Sequence, residues 1–166
     1  VGDGKTRPEI ERLTGELGQR HRIRFAGVVP YEEVPNYISI ADACTAVYDP
    51  SRHEALASHG MFFDPLKIFE YLACGKPTLI LDTENMRAIF EQERHACLVT
   101  TGDVPALARA IERLMADPAL RARLGAEGRQ LVQGRYSWQA HADHLGELFE
   151  ELVAERGRAK PESAVS

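Results

Sequence analysis

The run "DPLKIFEYLACGKPTLIL", residues 64–81, sets a carboxylate, Glu70, and an ammonium, Lys67, into an apolar helix-forming stretch that stops at Gly75 and runs into a strand. A charge at the edge of an apolar element is costly unless it is matched. Two chemistries match it. Lys67, three positions away, can pair with Glu70 for roughly a few tenths of a kcal/mol at an exposed site. Alternatively, the two carboxylate oxygens can accept together from the paired hydroxyls of a ribose. The spacing leaves both open. Upstream, Asp64 suits the N-cap and Pro65 the first turn, with Gly75 as a left-handed C-cap. The uncapped N–H groups near Leu66 and Lys67, at the positive end of the helix dipole, can hold a phosphate or belong to an ordinary capped helix.

Other residues offer less. Gly2 and Gly4 in "VGDG" open a helix and can bring backbone close to a phosphate, with Lys5 or Arg7 nearby, or simply make a turn. His141 and His144 stand one helical turn apart without a third ligand, which reads as a solvated pair rather than a metal site. Cys44, Cys74 and Cys97 are odd in number and scattered through apolar runs, as buried reduced thiols would be, and a cytoplasmic location follows as the expectation. No G-x-G-x-x-G follows a strand, which argues against a dinucleotide domain. A net charge of -5 argues against nucleic acid.

The elements that must position these residues alternate. In 166 residues, 44% of them hydrophobic, there is enough apolar surface for a core without staples. Apolar spacing predicts a helix with Ile10, Leu13 and Leu17 on one face, a strand at "IRFAGVV" (residues 23–29), and a helix with Val34, Tyr37, Ile38 and Ala41 on one face. Then come a strand at "ACTAVYDP", a loop over residues 51–63, the opening helix with Leu66, Phe69, Leu72 and Ala73 as its apolar arc, and strands at "KPTLIL" and "ACLVT" separated by a short helix. From Val104 onward the pattern is helical, with starts capped by Asp103, Asp117 and Ser137. Alternating strands and helices predict an α/β fold, a Rossmann-like parallel sheet with helices on both faces and further helices at the C-terminal end. Ligands of such sheets lie beyond the strand C-termini, which directs attention to the loops after Val1, Phe25, Val47, Leu81 and Val99. The expected domain covers residues 1–156, with a disordered tail over 157–166. The opening "VGDG" reads as the end of a strand whose sheet begins upstream, so a fragment of a longer protein is expected.

In order along nearly the whole chain, "VGDGKTRPEIE", "IRFAGVVPYEEVPNYISIADACTAVY", "DPLKIFEYLACGKPTLIL", "ACLVTTGDVPALARAIERLM" and "DPALRARLGAEGRQLVQGRYSW" resemble the C-terminal, donor-binding half of a family 4 glycosyltransferase of the two-domain GT-B architecture. The resemblance implies that Glu70 holds the ribose of a nucleotide-sugar, that Leu66 and Lys67 meet its phosphates, and that Gly27, Val28 and Val29 touch the base through backbone, with Gly2 and Gly4 close to phosphate. Many members carry a sugar-contacting glutamate eight positions before the ribose-binding one. Phe62 stands there in this chain, so Asp64 or the backbone of Gly60, Met61, Phe62 and Phe63 is expected to meet the sugar and diphosphate. The resemblance further implies transfer from a UDP- or GDP-sugar with retention of configuration, no metal and no cofactor, and no catalytic residue in this segment. The partner would be an N-terminal domain of the same chain, and the segment alone would be inactive. It also implies Trp138 as a packing residue. A peripheral membrane role through the N-terminal domain stays open, as does a non-catalytic interaction module that has kept the fold.

Overall fold

The computed structural model describes residues 1–48 and 66–158. Its elements run α1 (Arg7–Glu16), 3-10 turns at Arg20–Arg22 and Tyr31–Glu33, α2 (Val34–Ser39), β1 (Cys44–Ala46), α3 (Leu66–Ala73), β2 (Thr78–Leu81), α4 (Glu84–Ile89), β3 (Cys97–Val99), α5 (Val104–Ala116), α6 (Pro118–Arg135) and α7 (Trp138–Arg158). They form two compact units, Val1–Ala41 and Asp42–Ser166.

The second unit holds a parallel sheet in the order β1-β2-β3, with Cys44 opposite Thr78 and Leu79 opposite Cys97. All four residues of β2 are buried, as a strand covered on both faces requires. Alternation along the strand sends Ile80 to one face, with Ile68, Leu72, Met86, Phe90 and Val132. Leu79 goes to the other, with Cys97, Val99, Leu114 and Leu124. The expected Rossmann-like layering is therefore present. The predicted caps are too: Asp103 accepts from the Ala106 N–H at 2.7 Å, Asp117 from Leu120 at 2.9 Å and Ser137 from Ala140 at 3.2 Å.

Helix α6 runs against α3 through two glycines. A Cβ at Gly125 would collide with the Gly75 carbonyl oxygen, and one at Gly128 would stand 2.6 Å from Leu72 Cδ2 and 2.9 Å from the His95 carbonyl oxygen. The approach is closer than any side chain permits.

In the first unit, the apolar face expected on the first helix is not covered: Ile10 and Leu13 of α1, and Leu17 just past its end, are about half exposed or more. The strand expected over residues 23–29 is absent, and so is a strand end at Val1. The apolar run is there, but no strand lies beside it among the described residues, and a strand exists by virtue of its ladder. At the other end α7 runs through Arg158, two residues into the stretch expected to be disordered; residues 159–166 lie outside the described ones.

Candidate functional site

Helix α3 is fixed at its C-terminal end. Gly75 adopts φ 70°, its N–H donates to the Leu72 carbonyl at 2.8 Å, and the Lys76 N–H donates to the Tyr71 carbonyl at 3.1 Å, the paired bonds of a Schellman motif. The C-cap expected at Gly75 is thus observed. The buried stripe differs from the expected arc. Ile68 and Leu72 are the fully buried residues, flanked by Phe69, whose ring lies 5.7 Å from that of Phe90 and 5.3 Å from that of Tyr136. Leu66 is 76% exposed and Ala73 is also exposed, because α3 turns the Ile68 side toward the sheet.

This phase decides where Glu70 points. At about 100° per residue, Glu70 stands roughly 160° from both Ile68 and Leu72 and roughly 40° from Leu66. It belongs to the face turned away from the core, yet it is half-buried where Leu66 and Lys67 are exposed. Lys67 does not pair with it. The Lys67 Nζ lies 5.0 Å from the centroid of the Tyr48 ring, a cation–π contact. Among the described residues Glu70 has no ion pair and no side-chain hydrogen bond, so the ion-pair reading of its charge is not realised. Its effect is felt nearby: burial, and to a lesser extent Cys44, Tyr48 and Glu70, push the Tyr71 phenol up.

Beyond the strand C-termini lies a groove of about 280 Å³, where Val47 and Tyr48 follow β1, Leu81 ends β2, and Val99 to Asp103 leave β3. Three of the loops singled out from the sequence meet there. The "TTGD" turn, residues 100–103, is the loop after Val99 and carries the Asp103 cap, with Gly102 in it at φ 75°.

In the first unit, the structure brings Gly2 and Gly27 together. The Gly2 N–H donates to the Gly27 carbonyl at 2.6 Å, with φ of 111° and 73° at the two glycines. That N–H is therefore engaged by protein. The Gly4 carbonyl accepts from the Arg7 N–H at 2.9 Å. The Arg7 guanidinium is held by Glu11 at 2.9 Å and Asp3 at 3.3 Å, both of which raise its pKa further, while Lys5 stays exposed. Val28 is 79% exposed and Val29 half-buried. Gly60, Met61, Phe62, Phe63 and Asp64, with Pro65 and the rest of residues 51–63, lie outside the described residues. Trp138, expected as a packing residue, is 90% exposed among the described residues, and its ring meets His141 edge-on at 6.4 Å. Among the described residues no group of His, Cys, Asp and Glu is arranged to hold a metal.

Comparison with known proteins gives this arrangement a family. The family model described as "Glycosyl transferase-like" matches residues 5–147. The lipopolysaccharide core biosynthesis glycosyltransferase LpsD of Rhizobium meliloti is 38% identical over 94% of this chain and 42% of its own length. Sucrose-phosphate synthase from Thermosynechococcus elongatus superposes with a TM-score of 0.73 at 33% identity, over 93% of this chain and 36% of that one. Anabaena HepE, solved with UDP-glucose, shares the fold with a TM-score of 0.72 at 19% identity, over 91% of this chain and 40% of its own. The chain thus spans about two fifths of the proteins it matches. With the three-stranded parallel sheet and its helical layers, these likenesses show that the chain belongs to the glycosyl transferase-like family, as a GT-B glycosyltransferase domain of the family 4 type.

Proposed function

We propose that this chain is the donor domain of a retaining glycosyltransferase, binding a UDP- or GDP-sugar whose sugar is passed to an acceptor held elsewhere in the enzyme. The observation that carries the reading is Glu70. Its half-buried carboxylate faces away from the core and has no charged partner among the described residues. Its helix is fixed at one end by the Gly75 cap and along its length by the glycine face of α6. A carboxylate on a helix held this way is a two-oxygen acceptor suited to vicinal ribose hydroxyls. The same fold in HepE holds UDP-glucose, which supports a ligand of this class for the fold.

In the proposed reaction the bond between the sugar's anomeric carbon and the diphosphate oxygen breaks, and the bonding electrons leave with the nucleoside diphosphate. Stabilising that departing charge is the task of the protein. Lys67 and the first-turn N–H groups of α3 at Leu66 and Lys67 supply positive potential without a metal. Gly4, Val28 and Val29 are assigned backbone contacts with the nucleotide. Gly60, Met61, Phe62, Phe63 and Asp64 are assigned to the sugar and diphosphate, and the domain works in the reducing cytoplasm.

The test is calorimetric titration of the chain with UDP, GDP and NAD. UDP or GDP is expected to bind more tightly than NAD, and the reverse order would sink the proposal. Glu70→Gln keeps the shape but removes the charge and one acceptor. It is expected to weaken nucleotide binding at least ~10-fold, about 1.4 kcal/mol, with the melting temperature unchanged. A drop in melting temperature with affinity intact would assign Glu70 a structural role instead. A chain that binds no nucleotide would favour the interaction-module reading.

A further inference from the structure

Within the first unit, one side chain touches both glycine turns. The Arg7 guanidinium reaches back to Asp3 in the "VGDG" turn and forward to Glu11 on α1, and its carbon lies 5.8 Å from the centroid of the Phe25 ring, two residues before Gly27. Its Nη1 lies 3.5 Å from where a Cβ on Gly27 would stand, so it covers the Gly27 turn directly. The same two turns are joined by the 2.6 Å bond from the Gly2 N–H to the Gly27 carbonyl. A planar five-donor fork holds partners in fixed directions from three nitrogens, whereas an ammonium has three donors on a single atom.

We infer that Arg7 is a positioning residue for nucleotide binding: it ties the Gly2 turn to the Gly27 turn and so fixes the backbone at Val28 and Val29 before ligand arrives. The inference rests on the proposed donor function. It differs from the simpler idea that Arg7 acts through phosphate alone, because its Nε and Nη1 already bind the carboxylates of Glu11 and Asp3. Preorganised backbone raises affinity by removing the ordering cost from the binding step. Loss of the clamp therefore weakens the ligand without removing any group that touches it.

The test follows UDP and GDP titrations by amide NMR in the wild-type chain, Arg7→Ala, Arg7→Lys and, as a control on the far side of α1, Arg12→Ala, whose exposed pair with Glu16 touches neither turn. The Gly2 amide exchange rate is measured in the same samples. The expected result for Arg7→Ala is affinity weakened roughly fivefold or more, shift changes lost at Val28 and Val29 but kept near Glu70, and faster Gly2 exchange. Arg7→Lys should recover little of this, and Arg12→Ala should bind as wild type. Full rescue by lysine, or weaker binding with unchanged Gly2 exchange, would overturn positioning in favour of a direct charge contact. Unchanged affinity in Arg7→Ala would overturn the inference while leaving the donor function standing; a wild-type chain that binds neither nucleotide overturns both. Should Arg7→Ala fail to fold, Asp3→Asn cuts one arm of the clamp, and a smaller loss with the same pattern is expected, with wild-type behaviour as the contrary outcome.

Discussion

His95 is 7% exposed, and its Nδ1 accepts the Glu91 N–H at 3.1 Å, which leaves the proton of the neutral ring on Nε2. Burial, the largest influence, holds its pKa below the ordinary 6.5, against an opposing pull from Glu91. The folded chain therefore takes up its proton at lower pH than the unfolded chain does. Its contribution to stability is complete above about pH 6.5 and is lost as pH falls through the folded value. The melting temperature is expected to fall between pH 7 and pH 5 by more in the wild type than in His95→Asn, which keeps an acceptor but cannot titrate. Equal falls would mean that the ring is solvated. The thiols show the same influence: burial pushes Cys44 up to about 11, so it stays protonated at neutral pH, and all three cysteines are free, as their scatter in the sequence implied.

At the scale of elements, the contact between α6 and α3 holds Glu70 in place, and it makes opposite predictions for glycines on a single helix. Gly125→Ala would drive a methyl group into the Gly75 carbonyl, and Gly128→Ala into Leu72 and the His95 carbonyl, whereas Gly134 has open space around it. Alanine gains up to about 1 kcal/mol in helix propensity over glycine, and overpacking against backbone costs about 1–3 kcal/mol. Thermal unfolding should show Gly125→Ala and Gly128→Ala melting lower than wild type and Gly134→Ala the same or higher. If all three rise, the close approach is absent. The alternation of strands and helices, the three aspartate and serine caps and the Gly75 stop are local signals, and they were readable in the sequence. The phase of α3 was readable too: Lys67 and Glu70 stand about 60° apart around the helix, and the face opposite them is that of Ile68 and Leu72, so the expected arc was misplaced by including Leu66 and Ala73. The glycine notch of α6, more than fifty residues downstream, receives Leu72 on that face. Residues 23–29 failed for a different reason: β-branched composition describes a strand, but a ladder partner has to supply one.

Across the whole molecule, burial is uneven, and that unevenness sets how stability is distributed. In the second unit, β2 lies between two apolar clusters, with Thr78, Leu79, Ile80 and Leu81 all at 2% exposure or less. In the first unit, the buried residues of α1 and α2 are Thr14 and Ile38, and the apolar side chains of α1 face outward. Helix α7 resembles α1 in this respect, with Trp138, Phe149 and Val153 mostly exposed along it. Helices without a covered apolar face gain little stability from packing, which supplies most of the helical stability in proteins. Amides there should open locally, while those of β2 should exchange only when the second unit unfolds as a whole. Native-state hydrogen exchange on the chain is therefore expected to show the greatest protection at Leu79, Ile80 and Leu81. Protection should be intermediate through α6 near Leu124 and Val132, and least in α1 and the second half of α7. Adding nucleotide should raise protection in α3 around Glu70 without changing β2, whose amides already report global unfolding more than local opening. Protection in α1 equal to that of β2 would show that its apolar face is covered in solution, and would require that the first unit draw stability from contacts other than those its own residues make.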